Sequence, residues 1–138
     1  HGTTKNLEAN LMNILIVDDS EAILRIERYA VLSGFPAATV RFAESGASAL
    51  EILAQWAPDM VVADYHLPDM DGFQLLLAVR KQAPGVPIGF ATAETNPQVV
   101  RRIQAAGATF FLSMPFKFED LVAAVKAALA APAAGVAG

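Results

Sequence analysis

The chain of 138 residues reads as an α/β protein, a doubly wound (βα)5 arrangement in which five parallel strands alternate with five helices. Three observations lead there. Apolar runs end near Val17, Ala43, Ala63, Ala91 and Leu112, and stretches with i, i+3, i+4 apolar spacing lie between them. Most of the runs are apolar without alternation, as strands covered on both faces of a parallel sheet are. Acids follow two of them, Asp18 and Asp19 after the first and Asp64 after the third. Open sheets of this kind bind ligands at the carboxyl ends of their strands.

The first run, Asn13-Ile14-Leu15-Ile16-Val17, passes into Asp18-Asp19-Ser20. Asp19 or Ser20 is suited to cap the helix whose apolar face is marked by Ile23, Ile26 and Ala30. Val40-Arg41-Phe42 alternates, as an edge strand does, so the other four runs are expected to be central or better covered. Ala47, Leu50, Leu53 and Ala54 mark a second helix, with Trp56 packing at its end. The third run, Met60-Val61-Val62-Ala63, leads through Asp64 into Pro68-Asp69-Met70-Asp71-Gly72, where turn chemistry accounts for both acids. Phe73, Leu76 and Leu77 mark the third helix, and the fourth run ends at Thr92. Val100, Ile103 and Gly107 give the fourth helix, with Arg101 and Arg102 as a solvated face. After Phe111 and Leu112 the chain reaches Met114 and Pro115, and Leu121, Val125 and Ala128 mark the last helix with Lys117 solvated at its start. Gly34, Pro58, Pro84 and Pro87 punctuate the connections.

Composition narrows the function. With no cysteine, disulfides, thiolate zinc sites and cysteine nucleophiles are excluded, which is compatible with a cytoplasmic protein. Ten basic residues stand against fourteen acidic ones, for a net charge of −4 without a basic run, so direct binding of nucleic acid is not expected. No apolar run approaches the length that crosses a bilayer, so no membrane partner is expected. Residues 1–11 read as a leader or cloning remnant, 12–130 as the folding unit, and 131–138, rich in Ala, Pro and Gly, as a flexible tail or the start of a linker.

Three carboxylates brought together from two strand ends repel one another unless a cation neutralises them. Mg²⁺ is a hard octahedral ion, held by one or two carboxylates together with waters and phosphate oxygens. A carboxylate left over can attack phosphorus and form an aspartyl-phosphate, while the metal offsets charge on the transferred group. A hydroxyl such as that of Thr92 is suited to hydrogen-bond a phosphoryl oxygen.

Four motifs in this order, Val17-Asp18-Asp19-Ser20, then Asp64 with Leu67-Pro68-Asp69-Met70-Asp71-Gly72, then Ala91-Thr92-Ala93, then Met114-Pro115-Phe116, resemble the receiver domains of two-component response regulators. The resemblance covers roughly residues 12–130 and implies a flavodoxin-like, CheY-like sheet of order 2-1-3-4-5. It implies Asp64 as phosphoacceptor in a phosphorelay, and Mg²⁺ held by Asp18, Asp19, Asp64 and the backbone carbonyl of His66. The His66 side chain itself reads as a solvated imidazole. The resemblance further implies Thr92 as the switch hydroxyl, Phe111 in the place of the switch aromatic, and a cis bond before Pro115. Phe111 also reads simply as a core aromatic. The implied partners are a sensor histidine kinase or a phosphotransfer protein, with an output domain or a homodimer as further possibilities. Such a domain is no enzyme in its own right, beyond assisting its own phosphorylation and dephosphorylation.

One position departs from the family pattern. Where receivers carry a lysine before the last proline, this chain has Met114, whose thioether donates nothing and accepts poorly. Losing one charge-assisted contact removes on the order of 1.5–3 kcal/mol from a phosphorylated state. The alternative reading is therefore a degenerate receiver that binds partners without phosphorylation. A phosphatase of the haloacid dehalogenase type needs Asp-x-Asp after its first strand, which Asp18-Asp19-Ser20-Glu21 does not supply. Flavodoxin would need a hydroxyl-rich phosphate loop there, and none is present.

Overall fold

A computed structural model describes residues 11–131. Apart from Leu11 and Ala131, the expected leader and tail lie outside the described residues. The elements are β1 (Asn13–Val17), α1 (Glu21–Gly34), β2 (Thr39–Ala43), α2 (Gly46–Gln55), β3 (Met60–Ala63), α3 (Gly72–Gln82), β4 (Ile88–Thr92), α4 (Pro97–Ala105), β5 (Phe111–Ser113) and α5 (Phe118–Ala130). The strands form one sheet of order β2-β1-β3-β4-β5 with every pair parallel.

Alternation of side chains along each strand sorts the apolar runs into two layers. Ile14 and Ile16 of β1, with Met60, Val62 and Ala91, meet Leu24, Ala30 and Val31 of α1 and Leu121, Val125 and Ala128 of α5. Leu15 and Val17, with Val61, Ala63, Ile88 and Phe90, meet Ala49 of α2, Leu75, Leu76 and Val79 of α3, and Ile103 of α4. Residues such as Ile14, Leu15, Ile16 and Ile88 lose all solvent contact, which contributes roughly 1.5–3 kcal/mol apiece. No helix among the described residues is long and apolar enough to cross a membrane.

The expected helix faces need correction in three places. On α1 the buried stripe is Leu24, Glu27, Ala30 and Val31, whereas Ile26 is exposed. A charged residue inside the true stripe disguised it, leaving Ile23 and Ile26 as the apparent apolar face. On α2 the buried positions are Gly46 and Ala49, with Ala47 and Ala54 exposed. On α3 the run Leu75-Leu76-Leu77 carries no phase of its own, and packing selects Leu75, Leu76 and Val79 while Leu77 faces solvent. The fourth helix stops at Ala105, and Gly107 follows it in the left-handed region at φ 102°, with the Arg80 guanidinium against it.

β2 lies at one sheet edge, in keeping with its alternation, but β5 lies at the other. The fifth run was expected to be central or better covered, and its residues Phe111 and Leu112 are only half-buried. Its apolar character comes from packing against the two core layers at the sheet's margin. Trp56 closes α2 beneath the Arg41 guanidinium, 4.8 Å from the ring centroid. Arg102 is not simply solvated, since its guanidinium carbon lies 3.7 Å from the centroid of the Phe73 ring. Lys117 is exposed at the start of α5.

Candidate functional site

Strand register brings the acids level. Val17 pairs with Ala43 on one side and Ala63 on the other, so β1 and β3 end side by side. The next residues continue the ladder: the Asp18 amide donates to the Ala43 carbonyl at 3.0 Å, and the Asp64 amide to the Val17 carbonyl at 2.9 Å. One carboxylate oxygen from each of Asp18, Asp19 and Asp64 then lies within 4.8 Å of the others. No lysine or arginine among the described residues forms an ion pair with any of the three. A donor set of three hard oxygens without a compensating cation fits a divalent ion of the Mg²⁺ class.

Asp18 is buried, and desolvation raises its pKa to about 6. The Ser20 amide, donating to its Oδ1 at 2.9 Å, opposes that rise, while Asp64 and Asp19 add to it. Of the two capping candidates it is Ser20 that opens α1, its Oγ accepting from the Ile23 amide at 3.3 Å. Asp19 is exposed at the mouth of the site.

Thr92 ends β4 with no solvent exposure. Its hydroxyl donates to Asp64 Oδ1 at 2.5 Å and accepts from the Glu94 amide at 3.2 Å. The Met114 amide donates to the Thr92 carbonyl at 2.9 Å, which holds the β5 end beside the β4 end. The Met114–Pro115 bond is cis. Phe111 is half-buried, its ring centroid 6.4 Å from that of Phe90.

The loop after β3 is tied on every side. Asp69 reaches across to α2, its two carboxylate oxygens accepting from the Gly46 and Ala47 amides, each at 2.9 Å. Those hydrogen bonds hold its pKa below the usual carboxylate value. Asp71 caps α3 through a reciprocal box with Gln74. Both acids were expected to serve the turn alone, but each closes a helix N-terminus. His66, expected to be a solvated imidazole, is paired: Nε2 lies 2.6 Å from Glu94 Oε1, which joins the loops after β3 and β4. The Asn96 amide donates to the other Glu94 oxygen at 2.8 Å, and with His66 this lowers the Glu94 pKa.

Sequence reasoning missed Glu94 and Glu27. Glu94 had one available signal, its position two residues beyond Thr92 at a strand end. Glu27 stands on α1 with 1% exposure, and its Oε2 has no hydrogen-bond partner. Burial pushes its carboxyl up to about 9, with repulsion from Asp18 and Asp64 adding to the shift. Its signal was positional, three residues after Leu24 and four before Val31.

Comparisons with known proteins agree with this geometry. Residues 14–126 match the response regulator receiver domain family. Transcriptional regulatory protein PrrA of Mycobacterium tuberculosis is 35% identical over 84% of the chain, and DNA-binding transcriptional regulator NtrC of Escherichia coli is 32% identical over 84%. The chain spans 48% of PrrA and 24% of NtrC. A CheY-like receiver domain structure from Methanospirillum hungatei superposes with a TM-score of 0.79 at 28% identity, covering 86% of this chain and 94% of that one. A receiver is a signalling domain that takes phosphoryl groups from histidine kinases, and receivers bind Mg²⁺ at an acidic cluster of this kind. The chain belongs to the receiver domains of the two-component response regulators.

Proposed function

We propose that this receiver, residues 12–130, works in the cytoplasm and accepts a phosphoryl group on Asp64 from a sensor histidine kinase or phosphotransfer protein. The observation that carries the reading is the convergence of Asp18, Asp19 and Asp64 within 4.8 Å, with the Thr92 hydroxyl already on Asp64. Asp18, Asp19, Asp64 and the His66 carbonyl would hold Mg²⁺, which when bound offsets charge on the transferred group. Asp64 Oδ attacks phosphorus in line, the bond to the donor histidine nitrogen breaks, and that nitrogen keeps the electron pair. The Thr92 hydroxyl then moves its hydrogen bond from the carboxylate to a phosphoryl oxygen. Phe111, packed beside β4, follows that movement as the aromatic part of the switch. Any hydrolysis of the phosphoryl group is the domain's own slow reversal.

Met114 weakens the switch. With no ammonium at this position, the phosphorylated state is held by Thr92 and the cation alone, so the populations of the two conformations shift less. An output domain or a second copy of the chain would read that shift. Met114 is also what favours the second reading, a receiver that docks its partners without phosphorylation. Intact mass after incubation with acetyl phosphate and Mg²⁺ separates the two. The first reading expects one added phosphoryl group, absent from Asp64→Asn, and an unchanged mass would establish the second.

A further inference from the structure

Leu121, Val125 and Ala128 form the buried face of α5, and the opposite side of the helix is exposed. On the flank toward α1 the helix borders an open groove of about 550 Å³. Ser33 and Gly34 of α1 form one wall, and Phe118, Val122 and Ala123 of α5 form the other. Gly34 ends α1 directly against Val122, where a Cβ would collide with the valine, so α1 contributes no side chain at that point. The Ser33 hydroxyl is turned back to its own helix, donating to the Ala30 carbonyl at 2.6 Å. At the rim Phe118 is 44% exposed, an aromatic ring that its own chain does not cover.

Two charges complete the lining, Glu119 and Lys126. Both are exposed, and among the described residues neither forms an ion pair within its own chain. An acid in the first turn of a helix suits the helix dipole, which accounts for Glu119 by itself, as it does for Asp120. It does not account for Lys126 in the same groove. Seven residues make almost two full turns, so the two side chains share one face, about 10 Å apart along the axis. Val122 and Ala123 stand midway between them.

We propose that this face pairs with the same face of a second copy of the chain, α5 against α5 and antiparallel, about a twofold axis passing between Val122 and Ala123. A twofold contact must be self-complementary, residue i meeting j while j meets i. The face meets that condition. About this axis Glu119 of each copy comes opposite Lys126 of the other, and Val122 of each opposite Ala123 of the other. A parallel arrangement would set Glu119 against Glu119 and Lys126 against Lys126, so the charges select the orientation. Small side chains at Ala123 and Ala130 let the two helices approach closely. A contact of one helix and its flank is small by the standard of stable dimers, so the association is weak and concentration-dependent. It makes no use of Asp64 and stands apart from the phosphoryl chemistry.

The test is sedimentation of the full chain from about 10 μM to about 1 mM, without a phosphoryl donor, where a monomer–dimer equilibrium that weakens with added salt is expected. Glu119→Lys and Lys126→Glu should each weaken the dimer about tenfold or more, because two attractive pairs become repulsive ones. Mixing the two single variants should restore association, since each then offers the other the opposite charge. Combining both substitutions in one chain should restore it as well. In the mixture each copy still carries whatever its substitution costs its own helix, so harm to folding cannot imitate a rescue. A chain that stays monomeric throughout that range would overturn the proposal. So would a dimer indifferent to both substitutions, or one that each substitution weakens and mixing does not restore.

Discussion

Replacing Glu27 by Gln without metal should change the pH dependence of folding by an amount the structure allows to be worked out. In the unfolded chain the carboxyl ionises near 4.5, whereas in the fold it keeps its proton up to about 9. Folding above pH 4.5 therefore takes up a proton. The stability this group permits is fully present below 4.5 and falls by about 1.4 kcal/mol per pH unit as pH rises to about 9. At pH 7 the interval is about 2.5 units, a loss on the order of 3 kcal/mol, which is a large share of the roughly 5–15 kcal/mol that holds a domain together. Gln does not titrate, so its stability lacks this decline. Any fixed cost of burying the amide shifts the whole curve without changing its slope. Urea unfolding in EDTA at pH 5, 6, 7 and 8 measures the difference. Glu27→Gln should gain steadily on the unaltered protein with rising pH, and the contribution of Asp18 largely cancels in the comparison. Parallel stability curves across that range would refute the assignment of a buried, protonated acid.

Asp19→Asn should weaken Mg²⁺ binding markedly in a titration at neutral pH, because one hard anionic ligand is lost from three; equal affinities would remove Asp19 from the cation site. Met114→Lys should enlarge the hydrogen-exchange response around Thr92 and Phe111 when beryllofluoride and Mg²⁺ are added, and an unchanged response would show that the ammonium is immaterial in this chain. Thr92→Val removes both the hydrogen bond to Asp64 and the acceptor for the Glu94 amide, so it should shrink the same response without preventing phosphorylation. Asp69→Ala should speed amide exchange at Gly46 and Ala47, since both donors lose their acceptor together.

The parts of the fold that were legible were those written in apolar continuity. β1 and β3 are buried on both faces, and uninterrupted runs such as Ile14-Leu15-Ile16-Val17 reflect that directly. The acids at their ends stood out because helix capping accounts for an acid pair such as Asp18-Asp19 alone but not for that pair together with Asp64 at a second strand end. The faces of α1 and α3 were misread for opposite reasons, a polar residue within the buried stripe of one and too many leucines in the other. β5 was expected to be better covered because Phe111-Leu112 has no alternation to announce an edge, whereas both residues are half-buried and Ser113 is exposed. Glu94 and Asp69 act through partners 28 and 22 or 23 positions away, and local spacing carries no trace of such pairs.

The segment from Asp64 to Asp71 has almost no freedom in length. Asp64 is anchored to β1, Asp69 holds the start of α2, Asp71 holds the start of α3, and His66 bridges back to Asp71. Inserting or deleting one residue here would break hydrogen bonds to two helices and shift the His66 carbonyl relative to the acids. The turn from Ala83 to Pro87 is tied at its end, where Arg80 donates to the Val86 carbonyl at 3.3 Å and the Val61 amide to the Pro87 carbonyl at 3.0 Å, but its tip is open, and a Cβ added at Gly85 would meet nothing within 4 Å. Grafts, tags and length variation among related sequences are therefore tolerable at Gly85 and forbidden between Asp64 and Asp71, although both segments are loops on the surface of the same sheet.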